Sequence, residues 1–210
     1  MKHIILTLLF FGLTFSACKK KDIDFIMTGQ VSALNNGANI SNVSIQAYTS
    51  SLSNNLPKLV GTTTTDASGN YELKIERSKF ELLTLKLNKD NYFEGIKTYS
   101  FDDLTTEQEN ETQHSLSPKA FTHFIVKSNT NNQLKIQKIS GKTDCEACCA
   151  NGIYIYEGPI DTIVSCANDG DTYMKFYWWK YGPGGNNVLA NGVDSIYNNA
   201  FQTIDYNFDF

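Results

Sequence analysis

Leu59-Val60-Gly61-Thr62-Thr63-Thr64-Thr65-Asp66-Ala67-Ser68-Gly69-Asn70-Tyr71-Glu72-Leu73-Lys74-Ile75 is the stretch on which the fold turns. A β-branched run leads into Asp66-Ala67-Ser68-Gly69-Asn70, then apolar and polar residues alternate from Tyr71 to Ile75. Period-two alternation on either side of a tight turn is the signature of strands, and Gly69 supplies the positive φ expected to close a hairpin. The pattern extends toward the N-terminus. Val43, Ile45 and Ala47 share one face of Val43–Tyr48, Phe25–Val31 is a further strand, and Asn35-Asn36-Gly37 is a turn between them. Toward the C-terminus, Leu82–Leu87 and Tyr92–Tyr99 add strands around Lys89-Asp90-Asn91. No stretch keeps a 3.6-residue apolar stripe, apart from a short helical turn expected near Thr105–Asn110. Several short strands at this spacing predict a sandwich or barrel.

The second half repeats the style. Phe121–Val126, Gln133–Ile139 and Thr162–Cys166 read as strands, and Asn168-Asp169-Gly170-Asp171 as a hairpin turn. The chain ends on Phe201–Phe210, where Ile204, Tyr206, Phe208 and Phe210 face one way and Thr203, Asp205, Asn207 and Asp209 the other, a half-buried strand. The expected class is all-β, two small β-sandwich domains at residues 25–118 and 119–210.

Composition agrees with folded β domains. Of 210 residues, 41% are hydrophobic, 12% aromatic and 19% charged, too apolar for a disordered chain. Lys and Arg number 18 against 22 Asp and Glu, a net charge of −4, which excludes nucleic-acid binding through bulk positive charge.

Gly29-Gln30-Val31, Ile40-Ser41-Asn42-Val43 and the Thr62–Tyr71 run, in that order, resemble the carboxypeptidase regulatory-like family. The Thr-Thr-Asp-x-x-Gly-Asn-Tyr piece is the most specific part. Asn91 stands where the family often has the Gly of a Gly-Tyr pair. The resemblance covers residues 25–118, under half the chain. It implies a transthyretin-like β-sandwich and a non-catalytic module. Residues 119–210 resemble no particular family.

The N-terminus reads as an address. Lys2 and His3 precede an apolar run from Ile4 to Phe15, then Ser16, Ala17 and Cys18. A run of about a dozen residues is shorter than the ~20 a membrane-spanning helix needs, but fits a secretory signal. Phe15-Ser16-Ala17-Cys18 resembles a bacterial lipobox. The resemblance implies a signal peptide at 1–17, cleavage before Cys18, and acyl chains on Cys18. Two acyl attachments are enough for stable anchoring. Lys19-Lys20-Lys21-Asp22-Ile23-Asp24 then forms a tether over 18–24. It loosely resembles the export tag of some surface lipoproteins, though Ile23 separates the two acids. The expected location is the outer membrane, on either its periplasmic or its surface face.

With Cys18 lipidated, Cys145, Cys148, Cys149 and Cys166 remain. Exported chains meet oxidising conditions, so disulfides are expected. A bridge between neighbours Cys148 and Cys149 is strained. Cys166 therefore pairs with Cys148 or Cys149, and Cys145 with the other. Cys145-x-x-Cys148 also has zinc-like spacing, but no second such pair or nearby His pair completes a site. Asn168-Asp169-Gly170-Asp171 lacks the spacing of a calcium loop. His114 falls in a polar connector and His123 in a strand, with no zinc-protease or serine-hydrolase motif around them. Asp161-Thr162-Ile163 and Asp194-Ser195-Ile196 resemble the O-glycosylation acceptor of some Gram-negative exporters.

The aromatics of Thr172–Tyr181 carry the remaining signal. Tyr173, Tyr177, Trp179 and Tyr181 share one parity, Phe176 and Trp178 the other. One face packs the core, and the other can present rings to a partner. Trp179 and Tyr181 are the candidate binding face, with the loops Asn129–Asn132 and Gly182–Asn187 as contact sites. Together these readings predict a non-catalytic, lipid-anchored envelope protein. It needs no cofactor, and its partner is the membrane plus an envelope protein or a glycan. The rival classes are a small envelope hydrolase and a cysteine-based metal-binding protein.

Overall fold

The structure is a computed structural model describing residues 24–51 and 54–210. The expected signal peptide and Cys18 lie outside the described residues.

Alternation sets the first sandwich. Strands β1 (Asp24–Ala33), β2 (Ser44–Ser51), β3 (Asn54–Thr64), β4 (Asn70–Glu76), β5 (Leu82–Asn88), β6 (Gly95–Ser100) and β7 (Asn110–Leu116) form two sheets, ordered β4-β1-β7 and β3-β2-β5-β6. Every second residue of β2, β4 and β5 points inward. Ile45, Ala47, Leu73, Ile75, Leu83 and Leu85 from the two sheets therefore meet in one core with Phe25, Met27 and Val31. β1 runs antiparallel to β4 and parallel to β7.

The second sandwich repeats this plan strand for strand. It contains β8 (Lys119–Ser128), β9 (Gln133–Ser140), β10 (Ile153–Glu157), β11 (Ile160–Asp169), β12 (Thr172–Tyr181), β13 (Val188–Asn198) and β14 (Thr203–Asp209). Its sheets are ordered β11-β8-β14 and β10-β9-β12-β13, each number being the first sandwich's plus seven. The first strand again pairs antiparallel with the fourth and parallel with the seventh. Phe124, Leu134, Ile136, Met174, Phe176 and Phe208 form its core.

The structure corrects several expectations. The Asp66–Asn70 turn does not close a hairpin: β3 pairs with β2, β4 with β1, and the turn carries the chain from one sheet to the other. Its chemistry is nonetheless that of a tight turn. Asp66 Oδ1 accepts from the amides of Ser68 (2.8 Å) and Asn70 (2.9 Å), and Gly69 sits at φ 76°. A Cβ at Gly69 would lie 2.6 Å from the Val31 carbonyl oxygen, so the turn can pack this closely only as glycine. Asn168–Asp171 likewise joins β11 to β12 across sheets rather than within one. His114 lies in strand β7, not in a connector. The only helical turn among the described residues near Thr105–Asn110 comes just before it, at Phe101–Asp103, where Asp103 Oδ2 accepts from the Ser100 hydroxyl at 3.0 Å. Tyr92 makes only an isolated bridge to Pro118, and the strand itself begins at Gly95.

Only Ser117 and Pro118 separate β7 from β8, and the two sandwiches meet there. The Lys119 amide donates to Asn91 O (2.8 Å), Phe93 N to Ser117 O (2.9 Å) and Gly170 N to Pro118 O (2.7 Å). Phe93, from the β5–β6 loop, is buried against Cys148 and Ala167 of the second sandwich. Tyr92 and Phe201 meet edge to face at 5.2 Å. Asn35 Nδ2 donates to Asp171 Oδ2 at 2.5 Å, and the Ser117 hydroxyl to Asp169 Oδ1 at 2.6 Å.

Candidate functional site

β12 separates two sets of rings by parity. Met174, Phe176 and Trp178 point inward. Phe176 stacks edge to face on Phe124 (5.2 Å), Tyr206 (5.1 Å) and Phe208 (5.8 Å). Trp178 Nε1 donates to Asp194 Oδ2 at 2.9 Å, and the Tyr206 hydroxyl donates to the same oxygen. Burial, then the hydrogen bond to Asp194 and its charge, raise the Tyr206 phenol well above its ordinary pKa. Trp178 faces Gly192 across the ladder, and a Cβ there would come within 2.7 Å of the indole. These inner contacts fix β12 against β13 and so hold the outer face in place.

The outer set is Tyr173, Lys175, Tyr177, Trp179 and Tyr181. Tyr173 and Tyr177 are exposed, while Trp179 and Tyr181 are half-buried. Tyr177 and Trp179 lie 5.7 Å apart with planes inclined by 33°, a shallow continuous platform. Register gives the rings polar neighbours on β9 and mixed ones on β13, where Tyr177 faces Val193 and Tyr181 faces Val188. On β9, Tyr177 faces Gln137, Trp179 faces Lys135 and Tyr181 faces Gln133. On β13, Trp179 faces Asn191. Lys135 Nζ stands 4.5 Å from the Tyr181 ring centroid, a cation–π contact. Tyr173 packs on its cross-strand partner Tyr197 at 5.0 Å, and exposed Ile153 and Ile155 on β10 border the platform. The face thus unites the two candidate residues with Tyr173, Tyr177, Lys135 and Gln137. The sequence reading left β10 and β13 unassigned. Tyr154 and Tyr156 give β10 apolar residues on both parities, and Ala190-Asn191-Gly192 interrupts β13 with weak strand formers.

The platform ends at the Gly182–Asn187 loop, where Gly184 and Gly185 take φ of 73° and 70° and Gly182 N donates to Asn187 O at 2.9 Å. Ser195, in the glycosylation-like tripeptide, is exposed beside Lys175, whereas Asp194 of the same tripeptide is committed to Trp178 and Tyr206.

The cysteines form two disulfides, Cys145–Cys148 and Cys149–Cys166. Of the two partners left open for Cys166, the structure takes Cys149. The Ala167 amide donates to Ala147 O at 2.8 Å, which lays the cysteine loop along β11. Buried Lys138 secures the same loop by donating to the carbonyls of Lys142 and Cys149. Its pKa is lowered by burial, partly offset by Asp169. With both pairs oxidised, Cys145 and Cys148 are not thiolate ligands. Among the described residues, no group of three His, Cys, Asp or Glu is placed to hold a metal ion.

The histidines stand apart. His123 Nδ1 lies 3.2 Å from Asp205 Oδ1 on the surface. His114 joins a partly buried cluster in the first sandwich, its Nε2 at 3.0 Å from the Tyr71 hydroxyl and 3.1 Å from Thr112 Oγ1. Thr112 donates its own proton to Thr28 O (3.1 Å), leaving its oxygen as an acceptor for its neighbours. Burial pushes the Tyr71 phenol up to about 12 and lowers His114.

Comparison with known protein families and with curated protein sequences finds no match. Among solved structures, the chain is similar to the Bacillus anthracis TIE protein, with 13% identity and a TM-score of 0.37 over 89% of this chain and 34% of that one. It is also similar to a streptococcal ancillary pilin (9% identity, TM-score 0.37, covering 89% of this chain and 63% of that one). The shaft pilin SpaA from Lactobacillus rhamnosus GG gives 9% identity and a TM-score of 0.37, covering 89% of this chain and 97% of that one. The chain therefore spans about a third of the length of the TIE protein. At these scores only the chain's own residues carry a functional reading.

Proposed function

We propose that this chain is a non-catalytic, lipid-anchored protein of the cell envelope that holds a binding face outside the cytoplasm. The observation that carries the binding half is the outer row of β12, exposed Tyr177 beside half-buried Trp179 and Tyr181. Aromatic rings at a protein surface carry a water-exposure cost that a partner relieves. The anchoring half rests on the lipobox-like Phe15-Ser16-Ala17-Cys18 and the Lys19–Asp24 tether. The carboxypeptidase regulatory-like resemblance of residues 25–118 supports the non-catalytic half. In this reading the first sandwich is a spacer between the outer membrane and the second. The partner class is an envelope protein or a glycan.

The test is metabolic labelling with radiolabelled palmitate, followed by fractionation. The wild-type chain takes up label and sediments with membranes, while Cys18→Ala takes up none and is released. Equal membrane retention of the unlabelled Cys18→Ala chain overturns the anchor.

A further inference from the structure

We infer that the outer face of the β10-β9-β12-β13 sheet binds an acidic polysaccharide, a chain of carboxylate-bearing sugars lying along β12. This inference rests on the reading of that face as a binding surface and names its ligand class.

Three features select this occupant. The first is spacing. Tyr177 and Trp179 are two residues apart on one strand, and their ring centroids lie 5.7 Å apart. That is the scale of successive rings in a sugar polymer, and the 33° inclination between Tyr177 and Trp179 makes one bent platform rather than isolated rings. The second is alternation across the strands. On β9 the rings have Gln137, Lys135 and Gln133 as cross-strand neighbours, and on β13 Trp179 has Asn191 between Val193 beside Tyr177 and Val188 beside Tyr181. A sugar ring has an apolar C–H face and a rim of hydroxyls, so it stacks on a ring while its rim meets the adjacent donors. The core of a protein–protein interface is instead dry and depleted in lysine. The third is charge. Lys135 and Lys175 both belong to this face, within a chain whose net charge is −4. The acid at its corner, Glu157, already accepts from Gln133 at 3.2 Å. A neutral glycan would cover the Lys175 ammonium without pairing it and leave Lys135 only its contact with the Tyr181 ring, and a carboxylated one gives both a counter-charge.

The experiment uses the full-length chain in detergent micelles. Calorimetry measures binding to polygalacturonate and to alginate, and to the same polymers after carboxyl reduction. The expected result is binding to at least one acidic polymer, at least tenfold weaker to its reduced form, and weakened again between 50 and 500 mM salt as the charges are screened. Trp179→Ala loses at least tenfold in affinity. Tyr177→Ser, whose ring is off the core, loses affinity as well and serves as the readout if Trp179→Ala lowers the melting temperature. Lys135→Gln with Lys175→Gln brings the acidic polymer down to the affinity of the reduced one. Binding to neither polymer overturns the inference. So does acidic-polymer binding that survives both ring substitutions, because the contact then lies elsewhere. Equal affinity for acidic and reduced polymers, lost in Trp179→Ala, overturns the acidic class but leaves the binding face standing. Palmitate uptake at Cys18 is unaffected by any of these outcomes.

Discussion

At Gly29 the first strand passes so close to its neighbours that a side chain has no room. A Cβ there would lie 2.3 Å from the Thr112 carbonyl oxygen, 2.7 Å from Thr112 Oγ1 and 2.9 Å from the Tyr71 ring. The space it would need is held by the Tyr71–Thr112–His114 cluster. Gly29→Ala must push backbone as well as side chains, and is expected to cost about 1–3 kcal/mol. Gly152→Ala meets nothing within 4 Å and is expected to change stability by no more than about 0.5 kcal/mol. Urea denaturation of the pair checks the difference, and equal midpoints would dissolve the packing argument. His114 adds a pH dependence. Burial first, then the charge of Lys97, hold its imidazole neutral by lowering its pKa below the ordinary 6.5. In the unfolded chain the same group takes a proton at about 6.5. Its contribution is therefore complete above about pH 6.5, and is lost as pH falls from there through the lower folded value. The wild-type urea midpoint should drop between pH 7.5 and pH 5.5 more steeply than that of His114→Asn. Parallel slopes would show that the cluster does not hold the ring neutral.

Among the elements, the Cys149–Cys166 bridge ties the cysteine loop to β11 across a separation of 17 residues. Closing that loop in the unfolded chain is worth about 3 kcal/mol in the chain-entropy model, whereas the three-residue Cys145–Cys148 separation is worth about 2. Paired alanine substitutions should rank in that order by urea midpoint, and a larger loss from the Cys145/Cys148 pair would contradict it. The sequence could narrow Cys166's partner to two adjacent cysteines but not choose between them. Cys148 is buried by Phe93, which arrives from the other sandwich, and no local pattern encodes that contact. The same limit explains the two turns read as hairpins. Asp66–Asn70 and Asn168–Asp171 have the composition of tight turns, but turn chemistry does not say whether the next strand pairs back or crosses to the facing sheet. Parity was legible where one face is buried: β2, β4 and β14 alternate as read, and the inner and outer rings of β12 separate as their numbering implies. The platform around Trp179 was half legible. Its rings lie in sequence on one strand, while Lys135, Gln137 and Asn191 reach it through ladders to β9 and β13 that only long-range pairing creates.

For the whole molecule, two sandwiches of identical strand order are joined by two residues and share a small apolar core. Identical topology gives no reason for the halves to unfold together, so any coupling must come from their contact. Phe93 is its apolar centre, with Lys142 Nζ 4.6 Å from the ring centroid and Lys119 Nζ at 5.5 Å. Asp171 is its polar tie. Its carboxylate accepts from Ala200 N at 3.0 Å and from Asn35 Nδ2 across the junction, and these bonds, the backbone one first, lower its pKa. Both tryptophans, Trp178 and Trp179, belong to the second sandwich. Tryptophan fluorescence therefore follows that sandwich alone, while far-ultraviolet dichroism follows the strands of both. In the wild-type chain the two probes should give coincident urea transitions. Phe93→Ala removes an apolar side chain worth about 3 kcal/mol where it is fully packed. With Asp171→Asn weakening the tie to Asn35, the two transitions should separate, because each sandwich keeps its own core while losing the energy that linked them. Coincident transitions in the double variant would place the coupling in the Ser117-Pro118 link and its backbone hydrogen bonds. Separate transitions already in the wild type would mean that the junction contacts are too weak to couple the unfolding of the two sandwiches.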